Sequence, residues 1–146
     1  MKKTYAVFGL GRYGMAVASE LEARGAEVVA IDIDPAAVEE AASSLTVCKC
    51  ADITDRKVAE QLGIANVDTV IIAMANSFEA SVMATMLCKE LGVPTVIAKC
   101  SNELHRQILR KVGADRVVFP ENDSGIRLAR NLLTAGFIDM MELSGK

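Results

Sequence analysis

The 146 residues of the chain, 51% of them apolar, suffice for one domain with a hydrophobic core of its own. The formal net charge of −3 excludes a general electrostatic attraction to nucleic acid, so no nucleic acid partner is expected. No apolar run approaches the ~20 residues that a membrane-spanning helix needs. The N-terminal residues lead directly into a strand and do not resemble a signal peptide, which predicts a soluble, cytoplasmic protein.

Apolar runs typical of buried parallel strands alternate with helical patterns along the chain, which indicates repeated βαβ units. Strands are predicted near residues 4–9, 27–32, 47–51, 68–74, 95–100 and 116–119. Helices are predicted near residues 12–24, 35–44, 55–62, 77–91, 102–112 and 122–136. Pro35 suits a first helical turn, and Ser77, Asn102 and Asn122 suit helix starts. The pattern predicts an α/β fold with a doubly wound parallel sheet of about six strands.

The first predicted strand runs into the pattern Gly9-x-Gly11-x-x-Gly14, and the second strand ends in Asp32. Gly9 permits a tight turn, Gly11 lets a phosphate approach the backbone, and Gly14 lets the following helix lie close to the sheet. Asp32 can accept hydrogen bonds from ribose hydroxyls, and its charge disfavours a 2′-phosphate. The order of strand, glycines, helix and carboxylate favours a nucleotide site over a glycine-rich turn of another α/β domain.

Further polar residues follow the other strands at the same predicted edge of the sheet, where ligands of such folds bind. They are Asp34, Asp52, residues 74–76 and residues 99–101. Arg12 and Lys99 are the cations available to a phosphate chain. Asp52 has two interpretations, an acceptor for an adenine amino group or the N-cap of the helix near 55–62.

No catalytic set can be assembled from these residues, and little chain remains for a substrate domain. His105, the single histidine, could be a general base, a phosphate contact or a solvated residue of a polar helix face, and the sequence favours the last. The domain is therefore expected to bind a ligand without turning it over.

The four cysteines lack the paired spacing of a zinc site. Cys48, Cys50, Cys88 and Cys100 are interpreted as small, buried apolar residues. A redox role is the alternative for Cys48 and Cys50, which are expected on one side of the same strand.

Several segments resemble the N-terminal lobe of RCK (TrkA-N) domains. They are FGLGRYG at 8–14, AIDID at 30–34, ADIT at 51–54, KELG at 89–92 and GADRVVFPE at 113–121. The resemblance implies a Rossmann-like fold in a cytosolic regulatory subunit of a Ktr- or Trk-type potassium uptake system. It also implies ATP or ADP as the ligand, with NAD or NADH as the alternative, and no enzymatic activity.

The resemblance further implies a role for individual residues. It assigns nucleotide contacts to Gly9, Gly11, Arg12, Tyr13, Gly14, Asp32, Ile33, Asp34, Asp52, Ile53, Met74, Ala75, Asn76, Lys99, Cys100, Ser101, His105 and Glu121. Arg12 corresponds to an arginine that reaches the terminal phosphate. Glu121 corresponds to an acidic residue at a dimer interface, where it would help to hold a divalent cation such as Mg²⁺. Taken without the resemblance, Glu121 is a first-turn helix carboxylate that the helix dipole stabilises.

Apolar surfaces on two predicted helices indicate an oligomer. Residues 80–88 are almost all apolar or small, which favours contact with a second subunit over burial within one domain. A second stripe runs along the tail through Ile126, Ala129, Leu133 and Phe137, and residues 138–143 continue it. We therefore expect a nucleotide-binding domain at 1–120 and a crossover helix with a dimerisation tail at 121–146.

The resemblance implies homodimers arranged in an octameric ring, located at the inner face of the membrane through a potassium-translocating subunit. A change in the phosphate tail would alter the hinge between subunits and thereby the shape of the ring. Two alternatives remain at this stage. One is the cofactor domain of an NAD-dependent oxidoreductase that lacks its substrate domain, and the other is a redox sensor that binds NAD(H).

Overall fold

A computed structural model describes residues 2–74 and 77–144 of the chain. Its strands are β1 (Thr4–Phe8), β2 (Glu27–Asp32), β3 (Val47–Cys50), β4 (Thr69–Ile72), β5 (Thr95–Lys99) and β6 (Arg116–Val118). Its helices are α1 (Arg12–Ala23), α2 (Pro35–Ala42), α3 (Arg56–Gln61), α4 (Phe78–Glu90), α5 (Glu103–Lys111) and α6 (Pro120–Ser144). A 3₁₀ turn covers Ile64–Asn66. The predicted alternation of strands and helices is confirmed.

The described strands are all parallel and lie in the order β3-β2-β1-β4-β5-β6. The winding direction reverses between β1 and β4, which are neighbours in the sheet. Val7 of β1 pairs with Ala30 of β2 on one side and with Ile71 of β4 on the other. The doubly wound fold is therefore confirmed, and a crevice is expected where the order reverses.

Both faces of the central strands are buried, since successive residues of a strand point to opposite faces and helices cover each face. Ala6 and Phe8 of β1 belong to one core cluster, which α3, α4 and α5 cover. Val7 belongs to the other, which includes Ala18 of α1 and Ala41 of α2. This burial on two sides explains the near-continuous apolar runs of β1 and β4 in the sequence.

Side-chain caps fix the starts of four helices, α2 to α5. The caps are Asp34, Asp55, Ser77 and Asn102, each accepting a hydrogen bond from a backbone N–H of its own first turn. The starts predicted at Ser77 and Asn102 are confirmed, as is Pro35 in the first turn of α2.

The prediction that Asn122 starts the last helix is wrong. The helix α6 begins two residues earlier at Pro120, whose fixed φ suits a first turn. Asp123 supports this start, because its carboxylate accepts a hydrogen bond from the backbone N–H of Phe119 at 3.0 Å. The helix also continues to Ser144, eight residues beyond the predicted end at 136.

The motif GADRVVFPE contributes a clamp between the end of α4 and the start of β5. The carboxylate of Asp115 accepts a hydrogen bond from the backbone N–H of Val96 at 2.7 Å and pairs with Lys89 Nζ at 2.9 Å. Lys89 Nζ also donates to the carbonyl of Val93 at 3.2 Å. Burial raises the pKa of Asp115, but the hydrogen bonds from Lys89 and Val96 outweigh it, so the pKa lies below its ordinary value.

The cysteines divide into two groups. Cys88 and Cys100 are buried as predicted, and burial raises the pKa of the Cys88 thiol to about 12. The prediction is wrong for Cys50, which is exposed, and Cys48 is half-buried, because β3 is an edge strand. All four are free thiols, and the redox alternative for the pair on β3 remains untested.

The helix α6 is exposed along its described length. Every described side chain after Pro120 is exposed, including Ile126, Leu132 and Leu133, the last with 75% of its surface accessible. The side chains of Phe137, Ile138 and Leu143, which the sequence assigns to the same stripe, lie outside the described residues. Among the described helices, none is both long and apolar enough to span a membrane.

Candidate functional site

A crevice of about 440 Å³ opens at the carboxyl ends of the central strands, within the range of small-molecule sites. It is lined by Gly9, Gly11, Arg12, Tyr13, Ile31, Asp32, Ile33, Ala51, Asp52, Ile53, Thr54, Ala73, Met74, Ser77, Ala80 and Lys99. The structure thus brings together segments that follow five strands of the sheet, at the point where the winding reverses.

The three glycines of the loop after β1 have separate steric roles. Gly9 has a φ of +94°, and a Cβ atom there would lie 2.8 Å from the backbone nitrogen of Met74. A Cβ atom on Gly14 would overlap the carbonyl oxygen of Gly9, so α1 could not lie where it does. A Cβ atom on Gly11 would meet open space, with no atom of the described residues within 4 Å of it. These environments agree with a tight turn, close helix packing and an open face for a ligand.

The N-terminus of α1 differs from those of the next four helices because no side chain of the described residues caps it. Its N-cap residue is Gly11, whose carbonyl accepts the first helical hydrogen bond from Met15 at 2.9 Å. The first backbone N–H groups of a helix have no partner within the helix. At α1 these groups face the open side of the glycine loop, beside Arg12 and Tyr13, which both line the crevice. This arrangement suits an anion.

Two backbone hydrogen bonds orient the carboxylate of Asp32. One oxygen accepts from the N–H of Leu10 at 2.7 Å and the other from the N–H of Asp34 at 2.9 Å. Each oxygen keeps a second lone pair for a ligand hydroxyl. Asp34 does not line the crevice, because its carboxylate caps α2 by accepting from Ala36 at 3.0 Å. Ile33 lies at the rim with 66% of its surface exposed.

The structure decides against one of the two interpretations of Asp52. Its carboxylate accepts hydrogen bonds from the backbone N–H of Thr54 at 3.0 Å and from the Thr54 hydroxyl at 2.6 Å. Asp55 is the N-cap of α3, so the interpretation of Asp52 as that cap is wrong. Asp52, Ile53 and Thr54 form a wall of the crevice beside Asp32.

Two cations and two carboxylates are found among the described residues that line the crevice. Arg12 stands at the glycine loop, and Lys99 Nζ lies 5.6 Å from the centroid of the Tyr13 ring, within cation–π distance. Within residues 2–74 and 77–144, neither cation takes part in an ion pair with a protein carboxylate. Both are therefore available to an anionic ligand.

The interpretation of His105 as a solvated residue is wrong. Its side chain is fully buried, and it does not line the crevice. The backbone N–H of Ser101 donates to Nδ1 at 3.2 Å, and Nε2 lies 2.7 Å from the hydroxyl oxygen of Ser81. Burial lowers the pKa of the imidazole.

The other predicted contacts have different environments. Cys100 is buried, and its backbone N–H donates to the carbonyl of Val118 at 2.9 Å. Glu121 is an exposed first-turn carboxylate of α6, as the sequence predicts, and does not line the crevice. Its role as a metal ligand remains a prediction, since the described residues contain no group of three or more potential ligands. Ala75 and Asn76 lie outside the described residues.

Sequence reasoning did not assign six of the lining residues to the site. They are Ile31, Ala51, Thr54, Ala73, Ser77 and Ala80. All but one directly follow or precede a predicted site residue in the chain, and the exception, Ala80, belongs to the first turn of α4. Position is the signal that could have identified Ile31, Ala51, Thr54 and Ala73, because residues near the strand ends at this edge are candidates for the crevice.

The family model of the TrkA-N domain matches residues 5–120, which include every crevice residue. The chain belongs to the TrkA-N family. Ktr system potassium uptake protein C of Bacillus subtilis is 42% identical over 144 residues, with 99% of this chain and 65% of the relative covered. Ktr system potassium uptake protein A of the same organism is 38% identical, with 97% and 64% covered. This TrkA-N chain therefore spans about two thirds of the length of these relatives.

Solved structures share the TrkA-N fold at low sequence identity. The TrkA-N domain of the inner membrane protein ybaL of Escherichia coli has a TM-score of 0.77 at 18% identity, covering 92% of this chain and 97% of that one. The GsuK channel bound to NAD has a TM-score of 0.72 at 18% identity, covering 81% and 21%. GsuK bound to ADP has a TM-score of 0.67 at 19% identity, covering 81% and 31%.

Proposed function

We propose that this TrkA-N domain binds an adenine nucleotide in the crevice and acts as a regulatory unit of a potassium uptake system. One observation carries the proposal. The same cavity joins the oriented carboxylate of Asp32 to the N-terminus of α1, with Arg12 and Lys99 beside it. A nucleotide has the matching polarity, since its ribose offers hydroxyl donors and its phosphate chain carries the negative charge.

The ligand we propose is ATP or ADP, with NAD or NADH as the alternative. The Asp32 carboxylate suits a ribose without a 2′-phosphate, and Asp52 offers an acceptor to the adenine amino group from the next strand end. The cations Arg12 and Lys99 suit a di- or triphosphate. Among proteins of this fold, GsuK structures contain NAD and ADP, which supports both members of this ligand class.

We further propose that the protein regulates transport and does not catalyse a reaction. The relatives that match nearly the whole chain are potassium uptake proteins. We therefore assign the binding energy to stabilising one conformation over another.

The proposed assembly is a homodimer that builds an octameric ring in the cytoplasm, attached to a membrane potassium-translocating subunit. The exposed apolar surface of α6, including Leu132 and Leu133, supports a subunit contact. We propose that Glu121 and a Mg²⁺ ion approach the phosphates at this contact. The change from ATP to ADP removes one phosphate. If the two nucleotides differ by ~1–3 kcal/mol per site in how strongly they favour one conformation, nucleotide binding can be coupled to the shape of the ring.

Calorimetric titration of the purified chain with ATP, ADP, NAD and NADH tests this proposal. We expect saturable binding of ATP and ADP, and loss of binding in Asp32→Ala. Asp68→Ala is the matched control, because Asp68 also accepts a backbone N–H hydrogen bond, from Thr4 at 2.8 Å, but does not line the crevice. Absence of binding by all four ligands would overturn the proposal. A preference for NADH with turnover of a reducible substrate would favour the oxidoreductase alternative.

A further inference from the structure

His105 connects two walls of the crevice through a continuous chain of hydrogen bonds. Its Nδ1 atom accepts from the backbone N–H of Ser101 at 3.2 Å, so this nitrogen carries no proton. The proton of the neutral ring is therefore on Nε2, which donates to Ser81 Oγ at 2.7 Å. The Ser81 hydroxyl donates in turn to the carbonyl of Phe78 at 3.0 Å. The backbone donor at one end fixes the tautomer of the ring.

Both ends of this chain belong to segments that form the crevice. Ser101 follows Lys99, the crevice cation at the end of β5, by two residues. At the other end, Phe78 and Ser81 belong to the first turn of α4, the turn that contributes Ser77 and Ala80 to the crevice lining. The imidazole thus links the segment after β5 to the first turn of α4 by hydrogen bonds outside the sheet.

The packing around the His105 ring favours the neutral tautomer with its proton on Nε2. The side chain of His105 has no accessible surface, and the Phe78 ring lies with its centroid 4.9 Å from that of the imidazole. The Ser101 hydroxyl oxygen lies 3.3 Å from the same Nδ1 atom and closes the remaining side. A charged ring would have a proton where the Ser101 N–H now donates, so the arrangement requires a neutral imidazole.

We propose that His105 is a positioning residue of the nucleotide site, which holds Lys99 and the first turn of α4 at the spacing that a phosphate chain requires. The inference rests on the proposed function. His105 acts through the backbone of Ser101 and the hydroxyl of Ser81 and does not touch the ligand. We expect His105 to affect the binding of the phosphates and not that of the adenosine. Asp32 and Asp52, which we propose for the adenosine, follow β2 and β3, and these strands lie on the opposite side of β1 from β4 and β5.

Two substitutions separate the two hydrogen bonds of the ring. In His105→Asn the side-chain oxygen can replace Nδ1 as acceptor for Ser101, whereas in His105→Gln the side-chain amide can replace Nε2 as donor to Ser81. Loss of one hydrogen bond corresponds to a factor of about three to ten in an equilibrium constant. We expect His105→Gln to weaken ATP binding by about that factor, with a smaller loss in His105→Asn. Adenosine binding should be unchanged in both.

Thr85→Val is the matched control. Thr85 is also fully buried on α4, and its hydroxyl donates to the carbonyl of Ser81 at 2.8 Å, so it lies outside the chain from Ser101 to Phe78. We expect this variant to lose stability without any change in the ratio of ATP to adenosine affinity. Equal losses of ATP and adenosine binding in the His105 variants would indicate a merely structural role and would overturn the inference.

Nitrogen-15 NMR of the imidazole tests the tautomer without any ligand. His105 is the single histidine of the chain, so the spectrum contains one ring. We expect a protonated Nε2 and an unprotonated Nδ1 at neutral pH. A mixture of tautomers together with normal nucleotide binding would overturn the inference alone. The expected tautomer in a protein that binds no nucleotide would instead overturn the proposed function and, with it, the positioning role.

Discussion

Replacement of Arg12 by alanine should change ligand affinity and protein stability in opposite directions. Arg12 is the first residue of α1 and lines the crevice, and its guanidinium has no ion-pair partner within the described part of the chain. Its removal therefore breaks no ion pair there. A cation at a helix N-terminus opposes the helix dipole, so Arg12→Ala should stabilise the unliganded protein by about 0.3–1 kcal/mol.

The effect on binding has a larger magnitude. A hydrogen bond to a charged group contributes about 1.5–3 kcal/mol, which corresponds to roughly a 10- to 150-fold change in Kd. We expect Arg12→Ala to weaken ATP binding within this range, to weaken ADP binding less, and to leave adenosine binding unchanged. Arg12→Lys should be intermediate, because an ammonium keeps the charge but not the bidentate geometry. Calorimetric titration gives the three affinities, and thermal unfolding without ligand gives the stability.

Lys57→Ala is the control for this prediction. Lys57 is a cation in the first turn of α3 and does not line the crevice, so its removal should reproduce the gain in stability without any change in nucleotide affinity. Equal losses of ATP, ADP and adenosine binding in Arg12→Ala would refute the assignment of this residue to the terminal phosphate. A loss of stability in the unliganded variant would refute the argument that Arg12 has no structural role.

Three further predictions concern the glycine loop, the α4–β5 clamp and the exposed helix. Gly14→Ala should lower the free energy of unfolding by about 1–3 kcal/mol, since its Cβ would overlap a backbone oxygen. Gly11→Ala should destabilise the protein less, because its Cβ meets open space and only the N-cap preference for glycine is lost, and it should weaken ATP binding. Asp115→Asn should cost about 1 kcal/mol at neutral pH because the pairing with Lys89 is lost. The pKa of Asp115 is lowered in the folded state, so this contribution is present above the pKa of the unfolded chain and is lost as the pH falls below it. Leu133→Glu should shift the protein towards monomer in sedimentation experiments, because it introduces a charge into the exposed apolar surface of α6.

Each of these predictions has a clear contrary result. Chemical denaturation that found Gly11→Ala as destabilising as Gly14→Ala would contradict the separate steric roles of the two glycines. A stability difference between Asp115→Asn and the parent protein that grew as the pH fell below about 4 would have the wrong sign. For the assembly, Asn131→Glu adds the same charge at an exposed polar position of α6, and an equal effect of both variants would exclude a specific role for Leu133.

The fold could be predicted because its signals are local and repeated. Buried parallel strands need nearly continuous apolar runs, and Ser77 and Asn102 start helices through side-chain caps that depend on a few neighbouring residues. The site followed from the fold, since residues after parallel strands collect at one edge of the sheet. For this reason Asp32, Asp52 and Lys99 could be assigned to one crevice without coordinates.

The errors concern tertiary environments. His105 lies on a polar helix, and only the packing of α5 against α4 places its ring beside Ser81. Cys50 was expected to be buried, but burial depends on strand order, and β3 is at the edge of the sheet. Asp52 and Asp55 are both plausible caps by residue type, and the carboxylate of Asp52 instead accepts hydrogen bonds from Thr54. None of these contacts leaves a periodic signal in the sequence.

The crevice residues come from five separate parts of the chain, at 9–13, 31–33, 51–54, 73–80 and 99, with residues 75 and 76 outside the described set. They become neighbours only after β1 to β5 have paired in parallel, and each such pairing requires a long crossover. A folding intermediate that lacks one of these strands has an incomplete ligand site. Binding of the proposed nucleotide would therefore report that β1 to β5 have paired, and a ligand at 100 times its Kd adds about 2.7 kcal/mol to the free energy of unfolding.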